Sequence, residues 1–346
     1  MSAPAVSIVV PCYNEEEMLP ETIYQLRTLL QQLIREELVA PNSFLLFVDD
    51  GSKDRTWHII YKASLKYEHV KGLKLSRNVG HQNALLAGLF TAKTVSDCII
   101  SVDADLQDDI TVIREFIQKY QEGYDIVYGV RKRRTTDTFF KRHTAQGFYK
   151  IMKLMGVNIV YNHADYRLLS QRAVAELERY EEVNMFLRGI VPLLGFRSAT
   201  VYYDRKERKA GETKYPLKKM VAFALDGITS FSVTPIRFIT LIGFLSFFVS
   251  LLFGAYFIFL KINGFTQTGW TSLIMSIWLL GGLQLIAFGL IGEYIGKIYK
   301  ETKRRPRYSV DIDLLNLSVP ERLQHANTSA GEQVHVHIQQ KLPSTN

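Results

Sequence analysis

Asp103-Ala104-Asp105 stands directly behind the apolar run Cys98–Val102. Two carboxylates at i and i+2, just beyond a strand, can approach one hard cation with oxygen ligands. Mg2+ or Mn2+ held there would bridge them to a diphosphate and neutralise charge that develops on the leaving group. A D-x-D triplet alone is a weak signal, because acidic residues are common at strand ends. Its place behind the fourth apolar run of the chain strengthens it. Two other polar loops are placed alike: Pro11-Cys12-Tyr13-Asn14-Glu15-Glu16 behind Val6–Val10, and Asp49-Asp50-Gly51-Ser52 behind Phe44–Val48. An aromatic ring can flank a base, while carboxylates and hydroxyls bind base and ribose edges. Helix capping by Asp50, Ser52 or Asp54 is the structural alternative. Neither loop is G-x-G-x-x-G or a P-loop, so a dinucleotide enzyme and an NTPase find no support.

A basic stretch follows the apolar run near Asp125–Tyr128: Arg131, Lys132, Arg133 and Arg134, then Lys141 and Arg142. Guanidinium groups bind phosphate oxygens bidentately, which makes this a candidate lipid-phosphate site; a solvated basic face is the alternative. Nucleic acid is not expected as a partner, because no aromatic-rich binding motif accompanies the patch.

The elements that must position these residues alternate in type. Apolar runs at Val6–Val10, Phe44–Val48, Val70–Leu75, Cys98–Val102 and Asp125–Tyr128 read as strands. Helical spacing occupies Pro20–Leu38, Thr56–Tyr67, His81–Thr91 and Ile110–Glu122. Repeated β-α-β units predict a largely parallel α/β sheet with ligands at the carboxyl ends of its strands, where the polar motifs lie.

Beyond about residue 230 the chain changes character. Phe238–Leu260 carries no charge and is long enough to cross a ~30 Å hydrocarbon core. A second uncharged stretch covers Ile262–Gly292, most apolar over Thr271–Ile291. Two such neighbours predict a transmembrane hairpin rather than a buried one. Lys214, Lys218, Lys219 and Arg237 precede it, Lys297, Lys300, Lys303, Arg304, Arg305 and Arg307 follow it, and the intervening loop has only Lys261. The positive-inside rule then places the catalytic part and the C-terminus in the cytoplasm. Leu217, Met220, Val221, Ala224, Leu225 and Ile228 suit an interfacial helix, or one packed on the soluble domain. The expected organisation is a catalytic domain at 1–215, an amphipathic helix at 216–232, a two-helix hairpin at 233–295, and a basic juxtamembrane segment with a disordered tail at 296–346.

Composition agrees with a membrane partner: 42 Lys and Arg against 34 Asp and Glu leave a formal charge of +8, suited to an anionic surface. Cys12 and Cys98 are the only cysteines and read as buried thiols, which build neither a disulfide framework nor a zinc site. No signal peptide is expected at the N-terminus.

In combination, PCYNEE, VDDGSKD, LSRNVGH, DADLQDD, YGVRKRR, DYRLL, GETKY and GEYIGKIYKETKRRPRY resemble, in their order, the family 2 glycosyltransferases of the GT-A (Rossmann-like) fold. The chain is more narrowly similar to polyprenyl-phosphate glycosyltransferases with two C-terminal spans. These include bactoprenyl glucosyltransferases of the GtrB type and are related to dolichyl-phosphate mannose synthases. The resemblance covers about Val6–Tyr308. It implies that Pro11, Tyr13, Glu15, Asp50, Asp103, Gln107, Arg208 and Lys214 serve the nucleotide sugar, with Asp103 and Asp105 as the metal pair. Within the basic stretch, Arg131, Arg134, Lys141 and Arg142 are the expected lipid-phosphate ligands. Asp165 matches an acidic position proposed as catalytic, although a salt bridge to Arg167 would equally explain it. Tyr166 and Thr213 replace a frequent Phe and Ser, and Lys209 stands at a commonly aromatic position. The implied partners are a nucleotide sugar, a polyprenyl phosphate, the plasma membrane and a homo-oligomer, a tetramer. UDP-glucose is the first expected donor, ahead of UDP-GlcNAc, another UDP-hexose and GDP-mannose. A processive polysaccharide synthase would carry Q-x-x-R-W and more spans. A non-enzymatic membrane scaffold would have lost the acidic positions, all of which are in place.

Overall fold

The computed structural model describes residues 3–131, 163–182, 187–204, 234–263 and 269–316. Eight strands form one sheet in the order β7-β5-β6-β4-β1-β2-β3-β8. β1 (Val6–Cys12), β2 (Phe44–Asp49), β3 (Val70–Leu75) and β4 (Cys98–Ser101) are mutually parallel. α1 (Leu19–Arg35), α2 (Thr56–Lys66) and α3 (His81–Ala92) connect them. Every residue of β1 and β2 is buried, because helices cover both sheet faces. Ile8 and Val10 join one apolar cluster with Leu26, Leu30 and Ile60, whereas Val9 joins the opposite one with Leu85, Leu86 and Leu89. That is the two-residue period of a strand. Gly88 lets α3 lie close on the sheet, since a Cβ there would collide with Val9 and Val48.

The next helix and strand follow the expected pattern, and the elements after them depart from it. A short 3-10 turn (Ile110–Val112) leads into α4 (Ile113–Gln121), followed by β5 (Ile126–Arg131). β6 (His163–Ser170) then enters between β4 and β5, antiparallel to both. After α5 (Gln171–Glu178) and α6 (Leu187–Leu193), β7 (Ser198–Tyr203) adds parallel to β5. The sheet is therefore mixed: β6 and β8 run against the other six strands, which are parallel in direction as expected. β6 is hidden in the sequence because Asp165 and Arg167 interrupt its apolar pattern; their burial is met by ion pairing instead.

α7 (Thr234–Ile262) and α8 (Trp270–Thr302) carry the apolar segments. Phe238, Leu241, Phe244, Leu245, Phe248, Leu252 and Phe259 on α7 are exposed, as are Leu279, Leu285, Ile286 and Phe288 on α8. Among the described residues one segment, Leu279–Thr302, is long and apolar enough to cross a membrane by length and composition. The chain then returns to the catalytic domain, where β8 (Val310–Asp313) pairs antiparallel with β3 at the sheet edge. Leu314 is fully buried there and its N–H donates to the Gly72 carbonyl at 2.9 Å. A segment expected to be basic juxtamembrane chain thus contains a docked strand. Its alternation of Val310, Ile312 and Leu314 with Asp311 and Asp313 is short but has the strand period. Arg134, Lys141, Arg142, Arg208, Lys214, the expected interfacial helix at 216–232 and the tail after Asn316 lie outside the described residues.

Candidate active site

β4 lies beside β1, and β1 beside β2, so the loops behind all three open at one end of the sheet. The first two are bound to each other. Asn14 turns the chain with φ 53°, its N–H donates to Ser52 Oγ at 3.0 Å, and its Oδ1 accepts from the Lys53 N–H at 2.8 Å. The Glu15 N–H donates to Thr56 Oγ1 at 2.9 Å. Pro11 is buried within β1, while the Tyr13 ring is exposed and Glu15 is half-buried. Gly51 holds φ 65° against the backbone of Arg77 and Asn78, where a Cβ would come within 2.6 Å.

Asp50 is buried, and both its oxygens accept backbone N–H groups, from Val79 at 2.7 Å and Gly80 at 3.0 Å. It therefore fastens the β3–α3 loop to the β2 end, a duty the sequence did not disclose. That contact places His81, the first residue of α3, over the cleft, its Nε2 lying 3.6 Å from Asp103 Oδ1.

Asp103 and Asp105 occupy a loop fixed from several sides. Thr22 Oγ1 on α1 donates to the Ala104 carbonyl at 2.7 Å, and the Gln107 N–H donates to Asp105 Oδ1 at 3.2 Å. Leu106 takes φ 50°, a strained value for a side chain with a Cβ. The Asp103 side chain keeps 37% exposure toward the cleft. Removal from bulk water pushes its carboxyl up to about 6; His81 opposes this, and the carboxylates of Asp108, Asp165 and Asp105 add to it. Carboxylates crowded to this degree suit a hard divalent cation, which would relieve their repulsion. Among the described residues no group of three or more His, Cys, Asp or Glu is gathered for a metal. Two carboxylates could hold such a cation only if substrate phosphates completed its shell, as is usual for Mg2+.

Asp165 projects from β6 at 11% exposure. Its Oδ1 accepts from Arg167 Nη2 at 2.5 Å, and its Oδ2 accepts from Arg188 Nη2 at 3.1 Å. Burial would lift this carboxyl, but the Arg188 and Arg167 guanidiniums outweigh it and hold it well below the usual carboxylate range. The salt bridge to Arg167 is therefore present, and a carboxylate so stabilised is a poor proton acceptor. Arg131, at the end of β5, is 25% exposed and pairs with Asp108.

Four residues of this cleft were not singled out from the sequence: His81, Asp108, Arg188 and Tyr203. His81 and Asp108 fall inside the LSRNVGH and DADLQDD motifs, which was the available signal. Arg188 and Tyr203 reach the site only through the placement of α6 and β7, and local spacing carries no trace of that.

Residues 7–178 match the Glycosyl transferase family 2. The chain is 62% identical to the uncharacterized glycosyltransferase YkoT of Bacillus subtilis over 91% of this chain and 94% of that protein. It is 42% identical to the bactoprenol glucosyl transferase of Shigella phage SfX over 88% of this chain and 98% of that protein. Solved structures superpose loosely: a mannosyltransferase from Pyrobaculum calidifontis in complex with GDP-Man and Mn2+ shares 13% identity at a TM-score of 0.40, over 88% of each chain. The chain belongs to glycosyl transferase family 2. It is a glycosyltransferase with an α/β GT-A domain.

Proposed function

We propose that the enzyme transfers one hexose from a nucleotide sugar, UDP-glucose first, to a polyprenyl phosphate at the cytoplasmic face of the plasma membrane. The observation that carries this reading is the 42% identity to a bactoprenol glucosyl transferase across nearly its whole length. The cleft supports it independently, with carboxylates for a metal–diphosphate on one side and Arg131 on the other. α7 and α8 have 29 and 33 residues, and both present exposed apolar side chains. With the basic flanks, this supports a two-span anchor whose ends are both cytoplasmic.

An acceptor phosphate monoester, with a second pKa near ~6, is largely dianionic at neutral pH. Its oxygen attacks the anomeric carbon, the bond from that carbon to the diphosphate breaks, and the electron pair leaves with the nucleoside diphosphate. A single displacement inverts the configuration. No strong base is needed, which agrees with the depressed Asp165 carboxyl. Asp165 instead holds Arg167 and Arg188 in place beside the reacting groups. Arg131 binds the acceptor phosphate, and Tyr13, Glu15 and the β2 loop receive the nucleotide. Mg2+ or Mn2+ held by Asp103 and Asp105 would supply neutralisation of the leaving diphosphate.

The test is incubation of the purified enzyme with polyprenyl phosphate and, separately, UDP-glucose, UDP-GlcNAc, UDP-galactose and GDP-mannose. A glucosyl lipid product with at least tenfold preference for UDP-glucose is expected. Transfer from another donor changes the assigned sugar. Product chains longer than one hexose, or no lipid product from any donor, overturn the reading.

A further inference from the structure

The loop bearing Asp103 and Asp105 continues into Asp108, which is almost wholly buried. Asp108 Oδ1 accepts from the Tyr203 hydroxyl at 2.6 Å and from Arg131 Nη2 at 3.1 Å. Arg131 Nε in turn donates to the Tyr203 hydroxyl at 3.3 Å. Three groups from the β4 loop, the end of β5 and the end of β7 thus close a ring of hydrogen bonds. The sheet makes this possible because Arg131 and Tyr203 are register partners on adjacent parallel strands.

The Tyr203 ring is fixed apart from its hydroxyl. It stands edge-on to Tyr166 with centroids 5.4 Å apart, and the Tyr166 hydroxyl donates to the Asp109 carbonyl at 3.0 Å. Gly129 admits this packing, since a Cβ there would lie 2.9 Å from the Tyr166 carbonyl oxygen and 3.1 Å from both rings.

An Arg–Asp pair free to pair with itself alone frequently closes as a two-pronged fork on both carboxylate oxygens. Here neither partner does so. Asp108 Oδ2 is buried with no hydrogen-bond partner among the described residues. Arg131 engages Asp108 and Tyr203 through Nε and Nη2, which leaves Nη1 outside these hydrogen bonds. A planar guanidinium gripped along one edge presents the other in a set direction.

We propose that Tyr203 and Asp108 are positioning residues for Arg131, holding its guanidinium so that the Nη1 edge meets the acceptor phosphate. The same ring joins acceptor recognition to the loop that carries Asp103 and Asp105. This rests on the assignment of Arg131 to the acceptor.

The test uses the full-length enzyme and measures KM for polyprenyl phosphate and for the nucleotide sugar separately. Tyr203→Phe keeps the ring and its packing while removing the hydroxyl. It should raise the acceptor KM about tenfold, the scale of a lost charge-assisted contact, with donor KM within about twofold. Arg131→Lys should raise the acceptor KM at least as much, and the double variant should match Arg131→Lys alone, because lysine has no planar edge to brace. Effects that multiply in the double variant, or donor and acceptor KM rising together, overturn the proposal in favour of a merely structural ring. If Arg131→Lys shifts acceptor KM and Tyr203→Phe does not, only the brace is wrong. If Arg131→Lys leaves acceptor KM unmoved, the assignment of Arg131 fails and the brace falls with it. Asp108→Asn provides the same comparison should Tyr203→Phe not accumulate as folded protein.

Discussion

The two walls of the cleft are built by different physics. On the β1–β2 side, loops are fastened by short polar side chains to neighbouring backbone: Asn14 with Ser52 and Lys53, Glu15 with Thr56, Asp50 with Val79 and Gly80. On the β5–β7 side, the fastening is ionic: Asp165 with Arg167 and Arg188, Asp108 with Arg131. Contacts of the first kind set a shape that depends little on net charge. Those of the second kind hold only while opposite charges balance, because an uncompensated buried charge is costly. This suits the proposed division of labour. A nucleotide needs a rigid slot, whereas an anionic acceptor needs cations kept ready and counterbalanced until it arrives.

The largest expected effect lies on the floor where the walls meet. Asp105→Asn removes one ligand charge at nearly constant size. Turnover should fall on the order of a hundredfold, the scale of losing one contact to charge that develops in the transition state. The thermal midpoint should hold, chelator should stop the wild type, and Mg2+ or Mn2+ should restore it. Undiminished turnover in chelator would mean that the floor works by protein charges alone.

Next in size is a matched pair of changes that sets one wall against the other. Asp165→Asn leaves the buried Arg167 uncompensated, and breaking such a pair costs about 3–5 kcal/mol. Asp50→Asn on the opposite wall weakens backbone contacts to a charged acceptor, worth about 1.5–3 kcal/mol. Denaturant unfolding of both variants measures the difference. Equal losses, or a larger loss at Asp50, would erase the contrast between fastening by ion pairs and fastening to backbone.

The same contrast explains what could be read in advance. The β1–β4 half was legible because helices cover both sheet faces, which forces unbroken runs such as Val6–Val10. The Asp103–Asp105 pair, the Tyr13 loop and the Asp49–Ser52 loop were found from their place behind those runs. β6 was not, because Asp165, Tyr166 and Arg167 fill its interior positions and break the apolar run; Arg167 pairs with Asp165 two residues away, but the second partner, Arg188, reaches it only through the fold. Nothing local marks the Tyr203 hydroxyl as the partner of a residue 95 positions away. β8 escaped because four residues give too short a pattern to separate from a flexible tail.

The smallest expected effect is a pH dependence that isolates Asp103. Its carboxyl is pushed up to about 6, from a usual value near ~3.9, so folding favours its neutral form. Its contribution is then fully present below about pH 4 and is lost as pH rises through about 6, when the crowded carboxylate must ionise. Asp165 has the opposite sign: its depressed carboxyl stabilises above about pH 4 and that gain is lost as pH falls below it, outside this window. Asp49 and Asp50 are also raised, by burial, and share the direction of Asp103, so the wild type alone does not separate them. Asp103→Asn does, because it keeps every other group. Discounted for solvent screening at a side chain 37% exposed, the loss is on the order of 1 kcal/mol, or about 2–4 °C. Between pH 4 and 7, in chelator, the wild-type thermal midpoint should therefore fall by that much more than the variant's. Mn2+ with a nucleoside diphosphate should recover the difference at pH 7 in the wild type alone. Parallel pH slopes for the two proteins would show that the floor is not electrostatically strained and would remove the physical reason for placing a cation there.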